Sequence, residues 1–122
     1  MKKSVHYILN GLTLPVFVVD PNRKISFINK SARLRYNEAY TGQLFSELIT
    51  SKKCLDALES VLGGEPNATA NIVLQEVVPT SFRVSLSRLD ADSKPLPSCV
   101  LSFEDVSHIQ EAEQMRHDFV AN

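Results

Sequence analysis

The sequence contains no tryptophan, four glycines and two cysteines, and it has no long apolar run. Two cysteines, Cys54 and Cys99, are too few for a disulfide framework, and their spacing matches no CxxC metal or redox motif. We expect both to be buried thiols in a reducing cytosol. The apolar runs fall far short of the ~20 residues that span a bilayer, so no membrane segment is expected in this chain.

Charge is sparse and balanced. The 122 residues carry 13 Lys and Arg against 14 Asp and Glu, for a formal net charge of −1. The basic residues are scattered, so no nucleic-acid surface or anionic-membrane surface is predicted. The length corresponds to one domain that is able to bury a single core.

Residues that would carry catalysis or bind a metal are also missing. No Ser/His/Asp or Cys/His arrangement has motif support, and Gly63-Gly64 terminates a helix and forms no phosphate loop. The histidines His6, His108 and His117 have spacings that match no zinc site. We therefore predict that this chain has no catalytic residues and no metal site.

Apolar periodicity predicts a helix, two strands and further helices in the first half of the chain, followed by three strands and a last helix. A helix is expected over Val5–Leu14, a β-hairpin over Val16–Ile28 with its turn at Asp20–Arg23, and a helix over Ser51–Leu62. Asn29 or Ser31 is placed to cap a short helix between them.

After Gly63-Gly64 the period changes to two. Ile72 and Leu74 alternate with Asn71, Val73 and Gln75, and two further strands are predicted around Phe82–Leu86 and Cys99–Phe103. This order predicts an α+β fold with antiparallel strands and helices covering one face of the sheet. The apolar residues expected between helices and sheet, where a pocket would lie, are Phe27, Leu58, Phe82, Val84, Leu86, Leu101 and Phe103.

The hairpin residues resemble the opening of a PAS domain. Leu14–Asp20, then a turn, Lys24–Asn29 and Ser31-Ala32 match the family pattern of a strand ending in Asp and a strand ending in Asn-x-x-Ala. The turn departs from the pattern, because Asn22-Arg23 stands where the family often has glycine. The resemblance covers Leu9 to Ser107. It implies a five-stranded antiparallel sheet in the order 2-1-5-4-3, with helices on one face and a C-terminal linker helix.

The resemblance also divides the chain. Residues 1–14 form an N-terminal helical extension, residues 15–107 the sensory domain, and residues 108–122 a linker helix. Glu104-Asp105-Val106-Ser107 is similar to the exit signature of the family, in which the Asp and the hydroxyl tie the sheet to the departing helix. Ser107 is a plausible N-cap, and the alternative is an ordinary cap with no signalling role.

Beyond Ser107, an apolar stripe follows helical spacing and is formed by Ile109, Ala112, Met115 and Phe119. It predicts a homodimer through this helix; the alternative is a helix folded back on its own sheet. Met115–Asn122 resembles the start of the dimerisation helix of histidine kinases. In those proteins the phosphoacceptor follows the Asp-Phe-x-Ala-Asn run, whereas His117 precedes it, so we expect His117 to be a solvated helix residue.

The resemblance therefore implies a cytoplasmic sensory domain of a bacterial sensor histidine kinase in a two-component phosphorelay. Kinase domains would follow in cis, and a membrane anchor elsewhere in the parent protein stays open. The alternatives are a ligand-free dimerisation or protein-interaction module, and the input domain of a non-kinase enzyme such as a cyclase. A filled core favours the first alternative, and an apolar cavity argues against it.

No cofactor is identified. A haem version of the family would need a histidine on the mid-chain helix, and Ser51–Leu62 has none. The sequence around Cys54 does not match the Asn-Cys-Arg-Phe stretch of flavin photosensors of the light-oxygen-voltage type. An unidentified small-molecule ligand stays open.

Overall fold

A computed structural model describes residues 3–36, 38–75, 78–90, 96–109 and 115–116. In chain order the elements are α1 (Lys3–Asn10), β1 (Val16–Val19), β2 (Ile25–Ile28), α2 (Lys30–Arg33), a 3₁₀ turn (Glu38–Tyr40), α3 (Phe45–Leu48), α4 (Lys52–Leu62), β3 (Asn67–Leu74), β4 (Thr80–Leu89) and β5 (Ser98–Asp105). The strands form one five-stranded sheet in the order β2-β1-β5-β4-β3, with antiparallel pairing throughout. The predicted α+β architecture and strand order are confirmed. No helix within these ranges is long and apolar enough to cross a bilayer.

The interior strand β1 is buried on both faces, as its apolar sequence predicts. The turn that follows is closed by Asp20, whose Oδ1 accepts hydrogen bonds from the backbone N–H of Asn22 at 2.8 Å and of Lys24 at 3.0 Å. Arg23 has a φ of 65°, which is the left-handed conformation that glycine adopts most easily. The turn contains no glycine, so Arg23 takes this conformation instead.

One face of the sheet carries the main core. Alternate residues of β3, β4 and β5 point to this face, and α4 packs across it with Cys54, Leu58 and Val61 buried. The ring of Phe17 lies at the centre, in edge contact with Phe45 and Phe103. Aromatic edge contacts of this kind add to the stabilisation from burial.

A β-bulge changes the facing of β2. Phe17 pairs with Ile28 and Val18 with Phe27, but Val19 pairs with Ile25, so Ser26 is the extra residue. Ile25 and Ile28 therefore both reach the main core, and Phe27 does not. The prediction that Phe27 points at the core helices is wrong, because strict alternation from Ile25 does not hold across a bulge.

The opposite face of β1 and β2 is covered by α1. The ring of His6 stacks on Phe27 with centroids 4.3 Å apart and planes 12° from parallel. Helices thus lie on both faces at this end of the sheet. Helix α1 ends at Asn10 and not at Leu14; Gly11, which has a low helix propensity, follows Asn10, and the N–H of Leu12 closes the last turn on the carbonyl of Leu9.

Candidate functional site

The junction where the chain leaves the sheet is held by three hydrogen bonds. The backbone N–H of Val106 donates to the carbonyl of Ser81 at 2.9 Å, and the N–H of Ser81 donates to Oγ of Ser107 at 2.8 Å. Oδ1 of Asp105 accepts from the N–H of Ser107 at 3.0 Å. Val106, between the two sequence-predicted residues, is buried. The junction therefore couples the end of β5 to the start of β4.

The role of Ser107, one of the two predicted residues, differs from the expectation. Ser107 is the first helical residue and its hydroxyl bonds to β4, so it is not seen as the side chain that caps the helix. The carboxylate of Asp105 meets a free N–H of the first helical turn, which is the position where negative charge is favoured. Residues 107–109 and 115–116 are helical.

Ser81 completes the junction and was not predicted. It contributes only its backbone N–H and carbonyl, so no property of its side chain signals the role. The strand register places Phe82 opposite Asp105, which brings Ser81 next to Val106. Only knowledge of this register would have identified it.

The junction where the chain enters the sheet centres on Asn29, which is fully buried. Its Oδ1 accepts from the backbone N–H of Val16 and of Ala32, both at 2.9 Å. Its Nδ2 donates to the carbonyls of Leu9 at 2.8 Å and Leu14 at 3.0 Å. The predicted capping of α2 by Asn29 is confirmed, and the same side chain ties α1 and the following segment to the sheet.

Two further bonds join these segments. Oδ1 of Asn10 accepts from the N–H of Lys30 at 2.8 Å, and the hydroxyl of Ser31 donates to the carbonyl of Thr13 at 2.6 Å. Entry and exit segments are thus both anchored through hydrogen bonds to strand ends. These bonds, unlike a purely apolar contact, fix the direction in which each segment leaves the sheet.

The seven residues predicted to line a pocket lie on two sides of the sheet. Phe27 lies on the opposite face. The other six belong to the main core with at most 2% of their surface exposed: Leu58, Phe82, Val84, Leu86, Leu101 and Phe103. They pack against one another and act as core residues.

A cleft of about 480 Å³ lies elsewhere, beside the end of β3. Its lining comes from the segment after α2, from residues 48–51 and from residues 73–75, and includes Arg35, Tyr36, Ser51, Val73 and Gln75. The guanidinium of Arg35 sits 5.0 Å from the centroid of the Phe82 ring. The sequence pattern did not predict this cleft, since its lining is drawn from residues far apart in the chain.

No protein-family model matches the chain, and no curated protein matches it. Among solved structures, the PAS domain of BvgS from Bordetella pertussis has a TM-score of 0.70 at 10% identity, covering 98% of this chain and 96% of that one. The PAS domain of nitrogen regulation protein NR(II) from Vibrio parahaemolyticus has a TM-score of 0.64 at 18% identity, covering 83% and 96%. A sensory box sensor histidine kinase from Vibrio cholerae has a TM-score of 0.63 at 13% identity, covering 86% and 91%.

The chain has the PAS fold. Two of the similar structures come from sensor histidine kinases: the Vibrio cholerae protein and a further PAS domain from a two-component sensor histidine kinase. At these identities the likeness shows the fold alone, so the activity of this domain has to be argued from its own residues.

The turn of the first hairpin is bound to α4 by an ion pair. The guanidinium of Arg23 donates to both carboxylate oxygens of Glu59, from Nε at 3.0 Å and from Nη2 at 2.8 Å. These bonds hold the pKa of Glu59 below its ordinary value and raise the pKa of Arg23. Both side chains are about half exposed, so the pair contributes little to stability.

Both cysteines of the chain are fully buried, in agreement with the prediction. Burial raises the pKa of each thiol to about 12, so the lysines that precede Cys54 do not activate it. Within the described ranges no cluster of three or more His, Cys, Asp or Glu side chains is placed to hold a metal ion.

The helix that begins at Ser107, called the exit helix below, carries the predicted apolar stripe, which is only partly described. Ile109 is 43% exposed and Met115 is 72% exposed, so neither is buried against the sheet. Ala112 and Phe119 lie outside the described residues, as does His117.

Proposed function

We propose that this PAS domain is a cytoplasmic input module that regulates a sensor histidine kinase in a two-component phosphorelay. Residues 15–107 are the sensory domain, residues 1–14 and 108–122 its helical extensions, and catalysis belongs to kinase domains that follow in cis. The proposal is supported by the PAS fold, by the resemblance of Met115–Asn122 to a kinase dimerisation helix, and by the kinase origin of two similar structures.

The exit junction is the observation that carries this proposal. A change in packing under the sheet that moves β4 relative to β5 alters the bonds from Ser81 to Val106 and Ser107. The exit helix begins at that point, so its direction changes with them. Such a switch needs two packings of the junction to which the input binds with different affinity.

Dimerisation of the exit helix would pass the change to the kinase. Ile109 and Met115 leave apolar surface exposed on the PAS domain itself, and pairing with a second copy would bury it. A parallel pair of these helices would carry the change symmetrically into both kinase chains.

The full-length kinase provides the test. Asp105→Ala and Ser107→Ala each remove one bond of the junction, and both are expected to leave autophosphorylation insensitive to the input while the domain stays folded. Ser102→Ala, a change of the same size on the same strand, serves as the control and should switch normally. Normal switching in both junction variants would mean that Asp105 and Ser107 only stabilise the helix start.

A second candidate function, an interaction or dimerisation module that binds no small molecule, is favoured by the packing of the core. The six core residues predicted to line a pocket are buried against one another. Native mass spectrometry of the protein purified from cells distinguishes the two candidates. A stoichiometric bound molecule would argue against the second candidate, and none bound, together with normal switching by a protein partner, would favour it.

A further inference from the structure

The two edges of the sheet differ in how they are protected. The outer edge of β2 is paired with residues 42–45. The N–H of Ile25 donates to the carbonyl of Gln43 at 2.8 Å, the N–H of Gly42 donates to the carbonyl of Ile25 at 2.7 Å, and the N–H of Phe45 donates to the carbonyl of Arg23 at 2.9 Å. This edge is therefore closed to an additional strand.

The other edge is β3, and the register shows which of its backbone groups are free. The N–H of Arg88 donates to the carbonyl of Pro66 at 3.0 Å, so position 66 forms a hydrogen-bonded pair with β4. Because bonding direction alternates along an antiparallel ladder, Ala68, Ala70 and Ile72 bond to β4. Thr69, Asn71 and Val73 therefore direct their N–H and carbonyl groups outward.

These outward groups have no partner in the part of the chain that the structure describes. The strand also lacks the devices that usually block an edge. Asn67–Leu74 contains no charged residue and no proline, and its pairing with β4 runs over its whole length without a register shift. Charged side chains, prolines and bulges are the common means by which proteins prevent pairing at an edge.

We propose that β3 is an interaction edge, which pairs antiparallel with β3 of a second copy about Asn71. Residues that stand directly opposite each other in an antiparallel pair have their side chains on the same face of the sheet. When the two strands are identical, one residue must therefore stand opposite its own copy, and the two-fold axis passes between these two copies. With the axis at Asn71, Ala68 stands opposite Leu74 of the second copy, and Ala70 stands opposite Ile72. Small side chains thus meet large ones on the core side, and no charges of like sign are brought together.

This interface is separate from the exit-helix dimer and does not depend on the proposed kinase. A ladder of eight residues buries less than the ~1,200 Å² of a standard stable interface, so the pairing is weak and concentration-dependent. A weak self-association on one edge allows copies to cluster while the exit helices remain free to pair.

Amide hydrogen exchange, read residue by residue by NMR on the full chain, tests the proposal. The N–H groups of Thr69, Asn71 and Val73 should exchange freely in dilute solution and several-fold more slowly at millimolar concentration. Those of Ala68, Ala70 and Ile72 bond to β4, so their protection should not depend on concentration. Exchange of the outward amides at the same rate at every concentration would overturn the proposal.

Two glutamate variants separate edge pairing from other modes of association. Asn71→Glu places like charges opposite each other at the two-fold axis, while Arg83, its neighbour on β4, accommodates the new charge within one copy. It should abolish the concentration-dependent protection. Ser85→Glu adds the same charge to the same open face one strand inward and should leave that protection intact. Loss of protection in both variants would point to association through the face of the sheet and would reject pairing at the edge.

Discussion

Oγ of Ser107 accepts a hydrogen bond from the backbone N–H of Ser81 at 2.8 Å, and this bond joins the first helical residue after the sheet to the start of β4. The adjoining bond from the N–H of Val106 to the carbonyl of Ser81 runs in the opposite direction, so Ser81 is held from both sides. The exit helix is consequently fixed to two strands, although it follows only one of them in the chain.

Replacement of Ser107 by alanine should destabilise the domain. It leaves the part-buried N–H of Ser81 without its acceptor, and a lost bond of this kind costs about 1–2 kcal/mol. Urea unfolding followed by far-UV circular dichroism measures the change, since the chain has no tryptophan to report on unfolding. Ser107→Thr retains the hydroxyl and should recover most of the stability. An alanine variant as stable as the parent would show that the bond contributes nothing in solution.

Asn29→Ala should be the more damaging change. It removes the partner of two N–H groups and two carbonyls at a position with no solvent exposure. Each buried group left without a partner costs about 1–3 kcal/mol, so a total of about 3 kcal/mol is expected after partial relaxation. The substitution should also loosen the attachment of α1 to the sheet. Faster amide hydrogen exchange over residues 3–10 would show this.

Asn71→Ala is the matched control, since Asn71 is an exposed asparagine on β3, and it should change the unfolding free energy by less than ~0.5 kcal/mol. If Asn29→Ala unfolds at nearly the same urea concentration as this control, the hydrogen bonds of Asn29 are replaced by water at little cost.

The sequence predicted the elements whose pattern is local. The apolar run of β1, the alternation of Phe82, Val84 and Leu86, and the helical spacing over Ser51–Leu62 each appear in the structure as expected. These patterns could be recognised because the side chains buried by a strand or a helix recur at the period of that element.

Three features could not be predicted from the sequence, each for a physical reason. The bulge at Ser26 turned Phe27 to the other face, and a bulge has no alternation signal of its own. Ser81 acts only through its backbone. The start of β3 at Asn67 was missed because Ala68 and Ala70, which face the core beneath α4, are too small to produce a clear alternating pattern.

The buried cysteines should be unreactive in the folded domain. Burial raises the pKa of Cys54 and Cys99 to about 12, so the thiolate is scarce near neutral pH and the sulfur atoms are shielded. Reaction with a disulfide reagent at pH 8 should therefore proceed only as fast as the domain opens. A cysteine introduced at exposed Ser85 should react at once, and equally rapid reaction of the native thiols would contradict their burial.

The ion pair of Arg23 and Glu59 predicts a dependence of stability on pH. The pKa of Glu59 is lower in the folded domain than its unfolded value of ~4.3, so the stabilisation is complete above that value and is lost as pH falls through the folded pKa. Glu59→Gln should lower the unfolding free energy by less than ~1 kcal/mol at neutral pH, because the pair is half exposed. The difference from the parent should shrink towards zero in acid, and urea titrations across this range measure it.

Arg23→Gly completes this test, because Arg23 combines the ion pair with a left-handed backbone at φ 65°. Glycine relieves roughly 1–2 kcal/mol of steric strain but adds freedom to the unfolded chain, for a net gain of about 0.5 kcal/mol. In the parent, loss of the ion pair offsets this gain, so the single variant should be nearly neutral. In the Glu59→Gln background the pair is already gone, and the same change should be stabilising. Equal effects in both backgrounds would mean that the two side chains do not interact in solution, and destabilisation in both would mean that the turn is not strained.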